Sequence, residues 1–168
     1  TDDLTPVAER ETPMTLSVDP EGLYLITGGL GGLGRAVAEK LVTAGARHLM
    51  LLSRHGAADD SAKAFVEKLE EEGVTVVTPA VDIASSEAET EIQEVLTNLP
   101  PVKGVVHAAG FTRDALLKDQ TEKALTSLWR VKVDGAALLD RLSRDNAWPL
   151  DFFTVFSSAT LLIGNPGQ

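Results

Sequence analysis

The chain has 168 residues, enough for one domain with a single core and too few for two, with 43% hydrophobic and 24% charged residues. A formal net charge of -10 argues against nucleic acid or an acidic membrane surface as partner, since either attracts a basic patch. The absence of cysteine excludes disulfides and thiolate metal sites. No metal is expected, no apolar run approaches the roughly 18–20 residues of a bilayer span, and Thr1-Asp2-Asp3 is no secretory signal, so the expected compartment is the cytoplasm.

Residues 1–22 carry prolines at 6, 13 and 20 and no periodicity, which is the composition of a linker from an upstream region. The domain is expected from Leu23. Residues 23–27, Leu-Tyr-Leu-Ile-Thr, read as a buried strand stopped by glycine. Residues 33–44 read as a helix with Val37, Leu41 and Val42 on one side and Gly45 as terminator. A strand at 48–52 precedes a helix at 61–72, with Phe65, Val66 and Leu69 inward and Gly73 at its end. A strand at 74–77 leads to a helix at 85–96, with Ile92, Val95 and Leu96 inward, stopped near Pro100-Pro101. The acidic stretches at 67–72 and 87–94 are the solvated faces of these helices. A strand at 102–106, a long helical region at 121–145 and a fifth strand at 151–156 complete the pattern.

Strands alternating with helices of this length predict a parallel sheet, because right-handed crossovers need the intervening helix. The near-continuous apolar strands predict cover on both faces. The expected class is α/β, doubly wound and mostly parallel, with the sequence running out after the fifth strand.

Between the first strand and the first helix stands Thr27-Gly28-Gly29-Leu30-Gly31-Gly32-Leu33-Gly34. Glycine is needed where the chain turns tightly and where backbone must approach a pyrophosphate closely. A helix N-terminus behind such a turn presents free N–H groups and partial positive charge. The turn in this context indicates a Rossmann-type dinucleotide site, with Thr27, Gly28, Gly31, Gly32, Leu33 and Gly34 as cofactor-binding candidates. The second strand ends in Ser53-Arg54 where an NAD site would place an acid. A hydroxyl and a guanidinium suit a 2′-phosphate, so NADPH is preferred. Arg35 is a weaker second candidate. Asp82, after the third strand, either accepts from the adenine amine or caps the following helix. Ala108-Ala109-Gly110 are small enough for backbone to lie against the cofactor, and His107 before them reads as a packed strand-end residue.

These runs, with Lys132-Val133-Asp134-Gly135-Ala136, Phe156-Ser157-Ser158 and Gly164-Asn165-Pro166-Gly167-Gln168, resemble the ketoreductase domains of modular type I polyketide synthases. Those belong to the short-chain dehydrogenase/reductase superfamily. The resemblance spans residues 23–168. It implies NADPH-dependent reduction of a β-ketoacyl thioester, carried on the phosphopantetheine arm of an acyl carrier protein, within a multienzyme of neighbouring synthase domains. It also implies catalytic roles for Ser158, which matches the family's serine, and for Lys132, which matches its lysine.

Two departures stand out. The family's tyrosine proton donor and its asparagine would fall beyond Gln168, and Tyr24, the single tyrosine, lies in the first strand. The chain therefore reads as a segment of a longer polypeptide. The Leu-Asp-Asp that marks one stereochemical group is replaced by Thr112-Arg113-Asp114, and Ile163 stands where the opposite group has tryptophan. Pro166 leans toward the first group, so the motifs leave stereochemistry open. The rival readings are a non-catalytic structural or cofactor-binding module and a free-standing dehydrogenase for a small ketone.

Overall fold

The computed structural model describes residues 16–165, the side chain of Leu161 excepted. Five strands, β1 (Leu23–Thr27), β2 (His48–Leu52), β3 (Thr75–Val77), β4 (Val102–His107) and β5 (Phe152–Val155), form one parallel sheet in the order β3-β2-β1-β4-β5. Helices α1 (Gly32–Thr43), α2 (Asp60–Glu71), α3 (Ala88–Leu96), α4 (Glu122–Trp129) and α5 (Gly135–Asp145) alternate with the strands, and a short α6 (Thr160–Ile163) follows β5.

The two-residue period of the strands sorts the core into two layers. Leu23, Leu25, Met50, Leu52 and Val105 pack on one face with Ile92 of α3 and with Leu138, Leu139 and Leu142 of α5. Tyr24, Ile26, Leu49, Leu51 and Val106 pack on the other with Leu41 and Val42 of α1 and Phe65 and Leu69 of α2. With both faces covered, all five residues of β1 are buried. Hence the strands read as unbroken apolar runs.

Local signals set the ends of the elements. Asp59 caps α2 by accepting from the Ala62 amide at 2.8 Å, and Thr121 caps α4 by accepting from Ala124 at 3.2 Å. After α1, the amides of Gly45 and Ala46 donate to Val42 and Leu41. After α2, those of Gly73 and Val74 donate to Glu70 and Leu69. Both glycines have positive φ, as this paired closure requires. The chain is held to the sheet ahead of β1: Val18 packs on the core, Asp19 pairs with Lys103 at 3.7 Å, and its amide donates to the Tyr24 hydroxyl at 2.6 Å. Residues 1–15, most of the expected linker, lie outside the described residues, as do Pro166, Gly167 and Gln168.

Three elements differ from expectation. The third helix starts at Ala88 rather than 85. Asp82 Oδ1 takes the Ala84 amide at 3.1 Å and Ser85 Oγ takes the Glu87 amide at 3.1 Å, and these local bonds compete with helical ones. The long helical region is interrupted by a π-helical turn, Arg130–Asp134, between α4 and α5. The short α6 has no counterpart among the expected elements.

Gly104 of β4 lies under the stacked rings of Tyr24 and Phe152, whose centroids are 5.8 Å apart. A methyl there would come 2.5 Å from Phe152 Cζ and 2.6 Å from Tyr24 Cδ1. Gly104→Ala is expected to lower stability by about 1–3 kcal/mol through overpacking, read as a lower urea midpoint at unchanged m.

Candidate active site

From β1 the chain runs outward through β2 and β3, then crosses back over β1 to β4 and β5. The connections after β1 and after β4 therefore leave in opposite directions and open a crevice at the carboxyl ends of those strands. A cavity of about 1050 Å³ occupies that crevice. Gly28, Gly31, Gly32, Leu33 and Gly34 form one wall, Ser53 and Arg54 a second, Asp82 a third, and Ala108, Ala109 and Gly110 the side toward β4.

The glycine turn is shaped by close backbone contact. Gly28 has φ +66°, and a methyl on it would lie 2.9 Å from the Ala109 backbone. One on Gly34 would fall on the Gly28 carbonyl oxygen. Gly32 is different: a methyl there would meet nothing within 4 Å. Packing does not demand glycine at that position, but its absence of a side chain leaves space over the first amides of α1. Gly31 caps α1 without a side-chain bond, and the first turn holds no acid. The N–H groups and positive end of the dipole are thus left for an anion. A dinucleotide pyrophosphate fits this wall.

The flanking cations agree. Arg54 is exposed, lines the cavity and has no ion-pair partner among the described residues. Ser53 lies beside it, with its hydroxyl 3.3 Å from the Gly56 carbonyl. Arg113, Lys123 and Arg130 also line the cavity, against Asp82 and Glu122. The site is thus basic in a chain of net charge -10. Sequence reading missed these three cations, since one sits in a loop and two on a helical stretch that reads as an ordinary charged face. Arg35 turns elsewhere. Its Nε donates to the Leu30 carbonyl and its Nη1 to Ser61 Oγ, both at 2.8 Å, with the guanidinium over the Phe65 ring. It braces the glycine turn against α2.

Thr27 does not line the cavity. Fully buried, it accepts the Ala109 amide at 3.2 Å and meets His107 Nδ1 at 2.7 Å. His107 Nε2 lies 3.0 Å from the Val131 carbonyl, which can only accept, so Nε2 carries the proton and Thr27 donates to Nδ1. His107 is the packed strand-end histidine that its position indicated. Burial holds its pKa below the ordinary 6.5, and the nearby Lys132 charge acts in the same direction.

Lys132 sits half-buried in the π turn. Its side chain crosses Gly110, where a methyl would come 2.5 Å from Cε and 2.7 Å from Nζ. Ser158 is exposed beyond the end of β5. Its Oγ is 2.7 Å from Thr160 Oγ1 and accepts the Thr160 amide at 3.2 Å. Neither residue is part of the cavity wall, though both belong to the carboxyl side of the sheet. Tyr24 lies toward the opposite end of β1, buried and bonded to Asp19.

A depressed histidine pKa predicts acid sensitivity with a defined sign. The unfolded chain binds the His107 proton more readily, so the stability contribution is full above pH 6.5 and is lost as pH falls from there through the lower folded value. His107→Asn is expected to flatten that part of a melting-temperature profile, measured between about pH 7.5 and pH 5.

A family model for the KR domain matches residues 22–168. The chain is 41% identical, over 93% of its length, to 6-methylsalicylic acid synthase of Penicillium terrestre, of which it covers 10%. It is 42% identical, over 90% of its length, to erythronolide synthase EryA2 of Saccharopolyspora erythraea, of which it covers 4%. A solved structure of A-type ketoreductases from a modular polyketide synthase aligns with a TM-score of 0.81 at 38% identity, covering 94% of this chain and 33% of that one. The chain thus spans a small fraction of the synthases it matches and about a third of that ketoreductase structure. The match of the family model over residues 22–168, with these relatives, shows that the chain belongs to the KR domain family, the ketoreductases of polyketide synthases.

Proposed function

We propose that this chain is the cofactor-binding portion of a longer ketoreductase domain that uses NADPH to reduce a β-ketoacyl thioester to a β-hydroxyacyl thioester. The substrate is delivered on the phosphopantetheine arm of an acyl carrier protein, within a synthase whose neighbouring domains make and process the chain. The observation that carries the reading is the cavity shared by the open amides of α1 and by Arg54, which has no ion-pair partner among the described residues.

When bound, NADPH supplies the hydride. The protein's own residues do the rest. Amides of the glycine turn and the first turn of α1 hold the pyrophosphate, while Arg54 and Ser53 hold the 2′-phosphate through charge-assisted hydrogen bonds. Asp82 accepts from the adenine amine. Ala108, Ala109 and Gly110 let backbone lie flat beside the cofactor. Ser158 donates to the ketone oxygen and stabilises the charge that grows there. The Lys132 ammonium adds positive potential near that oxygen and supports proton delivery by a tyrosine from the chain beyond Gln168.

The test is titration of NADPH and NADH into the intact parent protein, followed by turnover of a β-ketoacyl thioester. Arg54→Ala is expected to weaken NADPH binding about 10- to 100-fold, the worth of a hydrogen bond to a charged group, and to leave NADH unchanged. Ser158→Ala and Lys132→Met are each expected to lower kcat by about 100-fold or more with NADPH affinity retained. Equal affinity for the two nucleotides would overturn the cofactor assignment. Tight NADPH binding without turnover would make the domain a cofactor-binding scaffold.

A further inference from the structure

The helix that carries Lys132 is not regular where it matters. After Trp129 ends α4, residues Arg130–Asp134 wind as a π turn, in which the Gly135 amide donates to the Arg130 carbonyl five residues back. A π turn accommodates an extra residue in the helix and redirects the side chains it contains. Lys132 is at its centre.

Inside this turn the Val131 carbonyl is bonded by His107 Nε2 at 3.0 Å. His107 is held in turn by the Thr27 hydroxyl at 2.7 Å, and that hydroxyl by the Ala109 amide at 3.2 Å. With the imidazole neutral, as its burial favours, the Val131 carbonyl requires Nε2 to carry the proton, which leaves Nδ1 to accept from Thr27. The result is a buried chain of bonds from the end of β1, through the end of β4, to the residue before Lys132. Gly135 lets the helix come this close, since a methyl there would sit 3.2 Å from His107 Cε1 and 3.0 Å from Ile83 Cγ1. On the far side of the turn the end of the Lys132 side chain passes over Gly110, one of the residues lining the cavity.

We propose that His107 is a positioning residue: by bonding the Val131 carbonyl it locks the π turn to the end of β4, and so sets where the Lys132 ammonium stands over Gly110. This rests on the reading of Lys132 as a participant in ketone reduction. The physical case is one of preorganisation. A flexible ammonium serves a developing alkoxide only if its backbone is fixed, and a misplacement of about 1 Å can cost about 100-fold in rate.

Two amide substitutions separate this role from plain packing. In His107→Gln the side-chain amide nitrogen stands near the original Nε2 and can still donate to the Val131 carbonyl. In His107→Asn the shorter side chain leaves that nitrogen near the original Nδ1, where it cannot. In the intact reductase, His107→Gln is expected to keep kcat within a few-fold of the parent. His107→Asn is expected to lower kcat about 10- to 100-fold while the NADPH dissociation constant changes less than about two-fold. The second readout needs no turnover. The side-chain NMR signal of Lys132, assigned by its loss in Lys132→Met, is expected to shift in His107→Asn and stay in place in His107→Gln.

Should His107→Asn fail to fold, Gly135→Ala presses on His107 Cε1 and is expected to move the same signal. Equal kcat in the two His107 variants with an unmoved Lys132 signal would overturn the proposal, as would an unmoved signal in a folded Gly135→Ala variant. A Lys132→Met protein with full kcat would overturn only the catalytic reading of Lys132. The NMR comparison would still decide whether His107 positions it.

Discussion

The site depends on how closely the ends of β1 and β4 approach one another. Gly28 presses against the Ala109 backbone with no room for a side chain, and beside it Thr27 and His107 bond across the same gap. This contact joins the glycine turn to the strap at Ala108, Ala109 and Gly110, and both line the cavity. Separating the two strands would lose the floor of the cavity, the seat of α1 and the anchor of the π turn together. The buried hydroxyl, imidazole and amide are each satisfied, so polar groups strengthen a core that would otherwise be apolar.

Charge is sorted by position. The chain is strongly acidic, and several of its carboxylates, among them Glu67, Glu70, Glu71 and Glu94, stand exposed on α2 and α3, where solvent screens them. Cations from the end of β2, from the loop after β4 and from the helix beyond converge on one crevice. An acidic protein thereby presents a basic site, and the walls of the crevice focus that field on an anionic ligand. Arg35, attractive from its position beside the last glycine, is used differently. Its stacking on Phe65 and its bond to Leu30 stiffen the turn from behind.

Much of this was legible in the sequence, and for local reasons. The five strands and the first two helices follow from apolar period, capping residues and glycine terminators, each acting within a few residues of itself. The glycine turn was legible because its backbone demands leave no other residue type at Gly28 and Gly34, and Arg54 because it replaces an acid at a fixed distance from that turn. The likeness to ketoreductases rested on motifs of the same local kind.

What tertiary structure decided is everything that depends on residues far apart in the chain. Whether Thr27 faces cofactor or core is settled by His107, 80 positions away. The π turn is invisible in the 121–145 pattern, because one additional residue in a helix barely disturbs apolar spacing. It exists where a histidine from a sheet strand can bond its carbonyl. The route of Lys132 over Gly110, the cations of the crevice and the turn of Ser158 toward Thr160 are likewise products of packing. Local sequence determines which conformations a segment can adopt and so names the elements and the turn. Only the meeting of distant segments assigns each polar side chain a partner, and with it a role.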